Sequence, residues 1–188
     1  VHETKNNIMI FTGRPNPEIA PAYAKYYLDR TIGQDNLMDA LIKNQQKVID
    51  FISQIPSDKI DFHYADDKWS LKGVLLHVIE TERVFQYRAL RLSRKDKTPI
   101  EGFDEGWFSQ HNNTDARTLA DLAEEFDCVR TSTIHLFKNV TQSMLDFEGV
   151  ANNAPINARN IGWIIVGHTM HHCDIIKERY LVDTDEQF

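Results

Sequence analysis

Residues 70–93, SLKGVLLHVIETERVFQYRALRLS, decide how this chain folds. Ser70 is a good helix N-cap, because its hydroxyl can accept from the free amides of the first turn. The apolar positions behind it recur with helical period rather than in alternation, so the spacing predicts a helix from Ser70 to about Ser93. His77 interrupts its apolar face, with Gly73, Val74, Glu80 and Thr81 one turn away.

Three further segments share this period. The first runs from about Gln34 to Ile55, where Leu37, Leu41, Val48, Ile52 and Ile55 form a stripe that Pro56 ends. Another runs from about Asp115 to Val140 on Leu119, Leu122, Phe126, Val129, Thr133, Leu136 and Val140, and the last from about Asn157 to Val182. Four long helices and no strand signal predict an all-α fold, a four-helix bundle with long loops. Those loops are Pro56–Trp69 and Arg94–Thr114. The second carries Pro99, Gly102, Gly106, Trp107 and Phe108, so it is expected to lie as a lid over one end of the bundle, with Trp107 lining the entrance. Arg14–Arg30, RPNPEIAPAYAKYYLDR, holds three prolines and three tyrosines and reads as an irregular N-terminal arm with a short helical turn.

The 188 residues suit one domain, 1–188, with 1–13 loosely ordered. A net charge of -7 argues against nucleic acid, which requires a basic face. The basic cluster Arg88, Arg91, Arg94, Lys95 and Lys97 reads as a solvated helix end that complements the dipole. No apolar run approaches the roughly 20 residues that cross a bilayer, and the opening residues lack the pattern of a signal peptide. Cys128 and Cys173 lie far apart and form no CxxC pair, which fits a reduced cytoplasmic protein. Cys173 reads as a flanking thiol rather than a ligand.

The last helix carries VGHTMHHCDIIKERY, residues 166–180. His168 and His172 are about 40° apart around it and roughly 6 Å apart along it, on the stripe of Ile161, Ile164, Ile165, Ile175 and Ile176. Both imidazoles should therefore point into the bundle, where an unpaired polar ring costs about 1–3 kcal/mol. A metal ion would satisfy both; hydrogen bonds within the core are the other reading, and an HxxxH pair also arises by chance. His77 offers a third inward nitrogen, and three histidines from two helices could leave coordination positions open. Glu80 is placed to accept from the second nitrogen of His77. His171, about 60° from His168, reads as flanking and supporting the site from outside. His135 falls on a polar face, His63 and His111 in loops, and His2 near the terminus.

Taken together, YADDKWSLKGVLLHVIETERVFQYRALRLSRKD, GFDEGWF and GHTMHHCDIIKERYL resemble the DinB superfamily, in the branch of DinB and YfiT-like metalloenzymes. The resemblance runs from about Arg14 to Val182. It implies a four-helix bundle holding a divalent metal, zinc or nickel, on His77, His168 and His172. It also implies an enzyme acting on a small molecule, either a hydrolase or an S-transferase that uses a low-molecular-weight thiol such as bacillithiol or mycothiol, and it allows a homodimer through the bundle faces. A non-catalytic, metal-stabilised binding or stress-response protein is the competing expectation. Thr169 stands where many relatives carry a glutamate after the first histidine of this pair, so a base there is missing. Glu80 and Glu82 are the nearest substitutes.

Overall fold

The computed structural model of the chain describes residues 13–182. Of the expected loose terminus 1–13, only Gly13 falls inside that span, and His2 lies outside the described residues. The elements run α1 (Ala22–Asp29), α2 (Leu37–Ser53), α3 (Leu71–Ser93), α4 (Glu105–His111), α5 (Leu119–Lys138), α6 (Gln142–Leu145), a hairpin of β1 (Glu148–Ala151) and β2 (Ala154–Asn157), and α7 (Ala158–Ile175). The fold is all-α in its main body, a four-helix bundle of α2, α3, α5 and α7 with long connections.

Each bundle helix starts on a side chain that satisfies an orphan amide. The Asn36 carbonyl accepts from Met38 and Asp39, Ser70 from Gly73, Thr118 from Asp121, and Asn157 from Asn160. Around the bundle the order is α2, α5, α3, α7, so α2 and α3, consecutive in sequence, sit across the diagonal. The long connection 54–70 makes that crossing, and its consequence is that α3 packs along α7. This brings residue 77 beside residues 168 and 172.

Two apolar clusters fill the bundle, one around Leu41, Phe137, Ile161 and Trp163, the other around Ile52, Leu122, Phe126 and Ile176. A polar layer joins them. Arg130, fully buried, donates from Nε and Nη2 to the two carboxylate oxygens of Glu82 at 2.7 and 2.8 Å, and from Nη1 to Asn44 Oδ1 at 2.6 Å. Its Nη2 also reaches Thr169 Oγ1 at 3.1 Å.

Four expectations change. No strand was expected, yet the stretch before α7 forms a hairpin: Asn152 and Asn153, with φ of 50° and 60°, make its two-residue turn, a conformation that Asn tolerates well. The last α-helix ends at Ile175 and continues to Tyr180 as a wider π-turn. The arm contains a true helix, α1, packed along α7. Gly167 permits that docking, since a Cβ there would lie 2.0 Å from the Tyr27 carbonyl oxygen. Finally, the basic cluster is split: Arg94, Lys95 and Lys97 are exposed, whereas Arg88 is buried with a relative exposure of 4%.

Candidate metal centre

His77 projects from the middle of α3, and His168 and His172 from successive turns of α7. The Nε2 atoms of His77 and His172 stand 3.2 and 3.1 Å from Nε2 of His168, and one nitrogen from each ring lies within 4.8 Å of the others. The bundle thus brings together the three histidines that the sequence pattern singled out. Trp69 stacks obliquely on His77, while the edges or faces of Tyr27 and Phe85 close round His168.

Burial, reinforced by the neighbouring rings, pushes the His77 pKa down to about 4 and that of His172 down to about 2. His168 is lowered well below the ordinary value for the same reasons. All three rings are neutral at pH 7, and a neutral imidazole is what a metal requires. The two spacings to His168 suit a divalent ion as well: nitrogens each about 2.0–2.1 Å from one ion come to lie about 3 Å apart. Without an ion, the single Nε2 of His168 must face two ring nitrogens at once, a poor use of its one proton or one lone pair.

Behind the rings the partners differ from expectation. His77 Nδ1 faces Thr81 Oγ1 at 3.4 Å, and among the described residues no hydrogen bond joins it to Glu80. Glu80 turns toward α5, its pKa raised by burial and by Glu125. The physical reason is angular: Thr81 follows His77 by four residues, closer in azimuth than Glu80 at three. His172 Nδ1 is buried and has no partner among the described residues. His171 faces α1, with Tyr26 Oη at 3.2 Å and Arg30 Nη2 at 3.4 Å from its Nδ1. Glu82 is held in the ion pair with Arg130, and Thr169 uses its hydroxyl to accept from Arg130 and donate to Ile165. Cys173, half-buried, has its thiol pushed up to about 12 by burial. His135 is exposed.

His168 forms part of the wall of a cavity of about 720 Å³ shared with Tyr27, Phe85, Arg88, Phe103 and Glu105. A smaller space of about 400 Å³ on the other side touches His171 and His172. The lid loop does reach the site, but not through Trp107. Asp104 caps α4 by accepting from the Trp107 amide, which turns Glu105 toward the histidines, its Oε2 4.0 Å from His77 Nε2. Trp107, two residues and about 200° further round, stacks on His111 and is 59% exposed. Sequence reasoning missed Glu105. It lies within the GFDEGWF stretch, but only the capped turn aims it.

The DinB superfamily model matches residues 40–176, a span that holds all three histidines. The chain belongs to the DinB superfamily. Among solved structures, this DinB chain is similar to YfiT from Bacillus subtilis, described as a probable metal-dependent hydrolase with an unusual four-helix bundle topology. The likeness covers 89% of this chain and 91% of that one, at 16% sequence identity and a TM-score of 0.68, and so concerns the fold. Among curated proteins none matches.

Proposed function

We propose that the chain is a metal-dependent enzyme acting on a small molecule, with His77, His168 and His172 holding a divalent ion and hydrolysis as its reaction. The whole chain, 1–188, would serve as one domain. The observation that carries this reading is the convergence of three neutral imidazoles, of which His168 lies on the wall of a cavity that the Glu105 carboxylate also lines. Imidazole donors suit zinc and nickel. A bound ion would supply Lewis acidity, lowering the pKa of a water or thiol nucleophile.

The chain's own groups do the rest. Glu105, the nearest carboxylate, would accept at Oε2 the proton released by the nucleophile and return it to the leaving group. Tyr27, Phe85 and Phe103 would hold an apolar substrate against the site and limit access of water. Thr81 and Trp69 fix the plane of the His77 ring. The description of YfiT supports the same reaction class. A non-catalytic protein would need a fourth side chain to close the site, and Glu105, 64% exposed, has the freedom of a base rather than the fixity of a structural ligand. Two free cysteines suit a reducing cytoplasm, and a homodimer through the outer bundle faces is compatible with this site.

The test is a panel of activated esters and amides offered to zinc- and nickel-loaded protein, with and without a low-molecular-weight thiol and an electrophile. Hydrolysis without added thiol is expected, and Glu105→Gln should lower kcat by about 100-fold or more while the metal content stays unchanged. Turnover seen only with thiol would replace hydrolysis by thiol transfer. No turnover in any arm, or a Glu105→Gln variant as active as wild type, overturns the catalytic scheme.

A further inference from the structure

The buried arginine on the cavity wall is a second feature of this pocket. Among the described residues three arginines are buried, Arg88, Arg130 and Arg159. Arg130 is paired with Glu82 and Arg159 with Asp146, as a desolvated cation requires. Among the described residues Arg88 has no carboxylate partner, makes one hydrogen bond, from Nη2 to the Glu101 carbonyl at 3.1 Å, and leaves its buried Nε without a partner. Phe85 and Phe103 lie on either side, each ring centroid 5.8 Å from the guanidinium carbon. A guanidinium has five N–H donors, so most of its capacity is unused. Burial lowers the pKa of Arg88, which is the cost of keeping a cation without a counter-charge.

Position completes the argument. Arg88 follows His77 by 11 residues on α3, which returns it to within about 20° of the same face and places it about 16 Å further along the axis. Both ends are connected by the cavity that His168, Phe85, Phe103 and Arg88 line. The acidic residues on its wall are occupied elsewhere: Asp104 caps α4, and Glu105 faces His77.

We infer that Arg88 is an anion subsite, and that the substrate is a small organic carboxylate whose charged end pairs with Arg88 while an apolar spacer leads back to the histidines. A monoanion is favoured over a phosphate dianion because Asp104 and Glu105 share the cavity and would repel the second charge. The assignment of substrate class rests on the reading of this cavity as the substrate site, but binding can be tested without turnover.

The probes are 4-phenylbutyrate and its neutral primary amide, titrated calorimetrically into the full chain in metal-free and zinc-loaded forms. The acid should bind both forms of wild type, with the amide at least about tenfold weaker. Arg88→Met should weaken the acid by about 10- to 100-fold and leave the amide unchanged, the range expected for hydrogen bonds to a charged partner. Arg88→Lys keeps the charge without the fork, should retain part of the difference, and serves if Arg88→Met does not fold. Equal binding of acid and amide, no binding of the acid to wild type, or acid binding that needs zinc and ignores residue 88 would each overturn the subsite. The metal-free arm separates this outcome from failure of the metal reading, which metal content reports independently.

Discussion

Replacing Glu82 by Gln tests whether the polar layer beneath the histidines is structural. Arg130 is fully buried and Glu82 exposes 2% of its side chain, and the two carboxylate oxygens take two guanidinium bonds of 2.7 and 2.8 Å. Glutamine keeps one acceptor, turns an amide donor toward the other guanidinium nitrogen, and leaves a buried cation without its charge partner. Breaking a buried pair in this way costs about 3–5 kcal/mol. With a urea m-value of about 2 kcal/mol/M, the unfolding midpoint should fall by about 1.5–2.5 M. Followed by circular dichroism, the Glu82→Leu/Arg130→Met double variant should recover most of this loss, because removing both charges removes the desolvation they carry. At low temperature, where Glu82→Gln is folded, it should bind metal as wild type does, since neither residue reaches a ring nitrogen. A midpoint shift of less than about 0.5 M, corresponding to roughly 1 kcal/mol, would refute the argument.

Gly167→Ala should destabilise the fold by about 1–3 kcal/mol, measured by urea unfolding, because its Cβ would meet the Tyr27 carbonyl oxygen at 2.0 Å and lift α1 from α7; an unchanged midpoint would show that α1 does not dock there. Metal-free protein should lose stability on acidification: the His77 pKa is about 4 in the fold against 6.5 unfolded, so the unfolded chain takes up the proton first. Its stabilisation is fully present above pH 6.5 and is lost at about 1.4 kcal/mol per pH unit as pH falls toward 4, while His168 and His172, lowered further, steepen the loss over the same range and extend it further down. Urea midpoints independent of pH between 7 and 5 would contradict burial of neutral rings. Trp107→Ala should leave turnover within about twofold of wild type, since that ring faces solvent and His111; a loss comparable to that of Glu105→Gln would place the indole at the substrate.

The bundle was legible because its signals are local. Ser70 and Asn157 cap the helices that the apolar period predicts, and the inward direction of His77, His168 and His172 follows from that period alone. Most of what escaped depends on contacts distant in sequence, the hairpin before α7 being the local exception. The Asn152–Asn153 turn is a short-range hairpin signal, masked by flanking residues with little alternation. Arg88 looked like part of a basic helix end, although 11 residues from His77 is the spacing of one face. Glu105 faces the histidines and Trp107 faces away because loop residues Glu105–His111 form a capped helix, and a helix separates side chains that a lid would have gathered. Thr169, read as a missing base, is a partner of Arg130 that only the neighbouring helix reveals.

Metal content, determined by elemental analysis of protein prepared without chelator and then offered zinc or nickel, tests the central claim most directly. About one divalent ion per chain is expected in wild type and in His135→Ala, and its loss in each of His77→Ala, His168→Ala and His172→Ala. No ion bound to wild type, or equal retention in all four variants, would contradict the site.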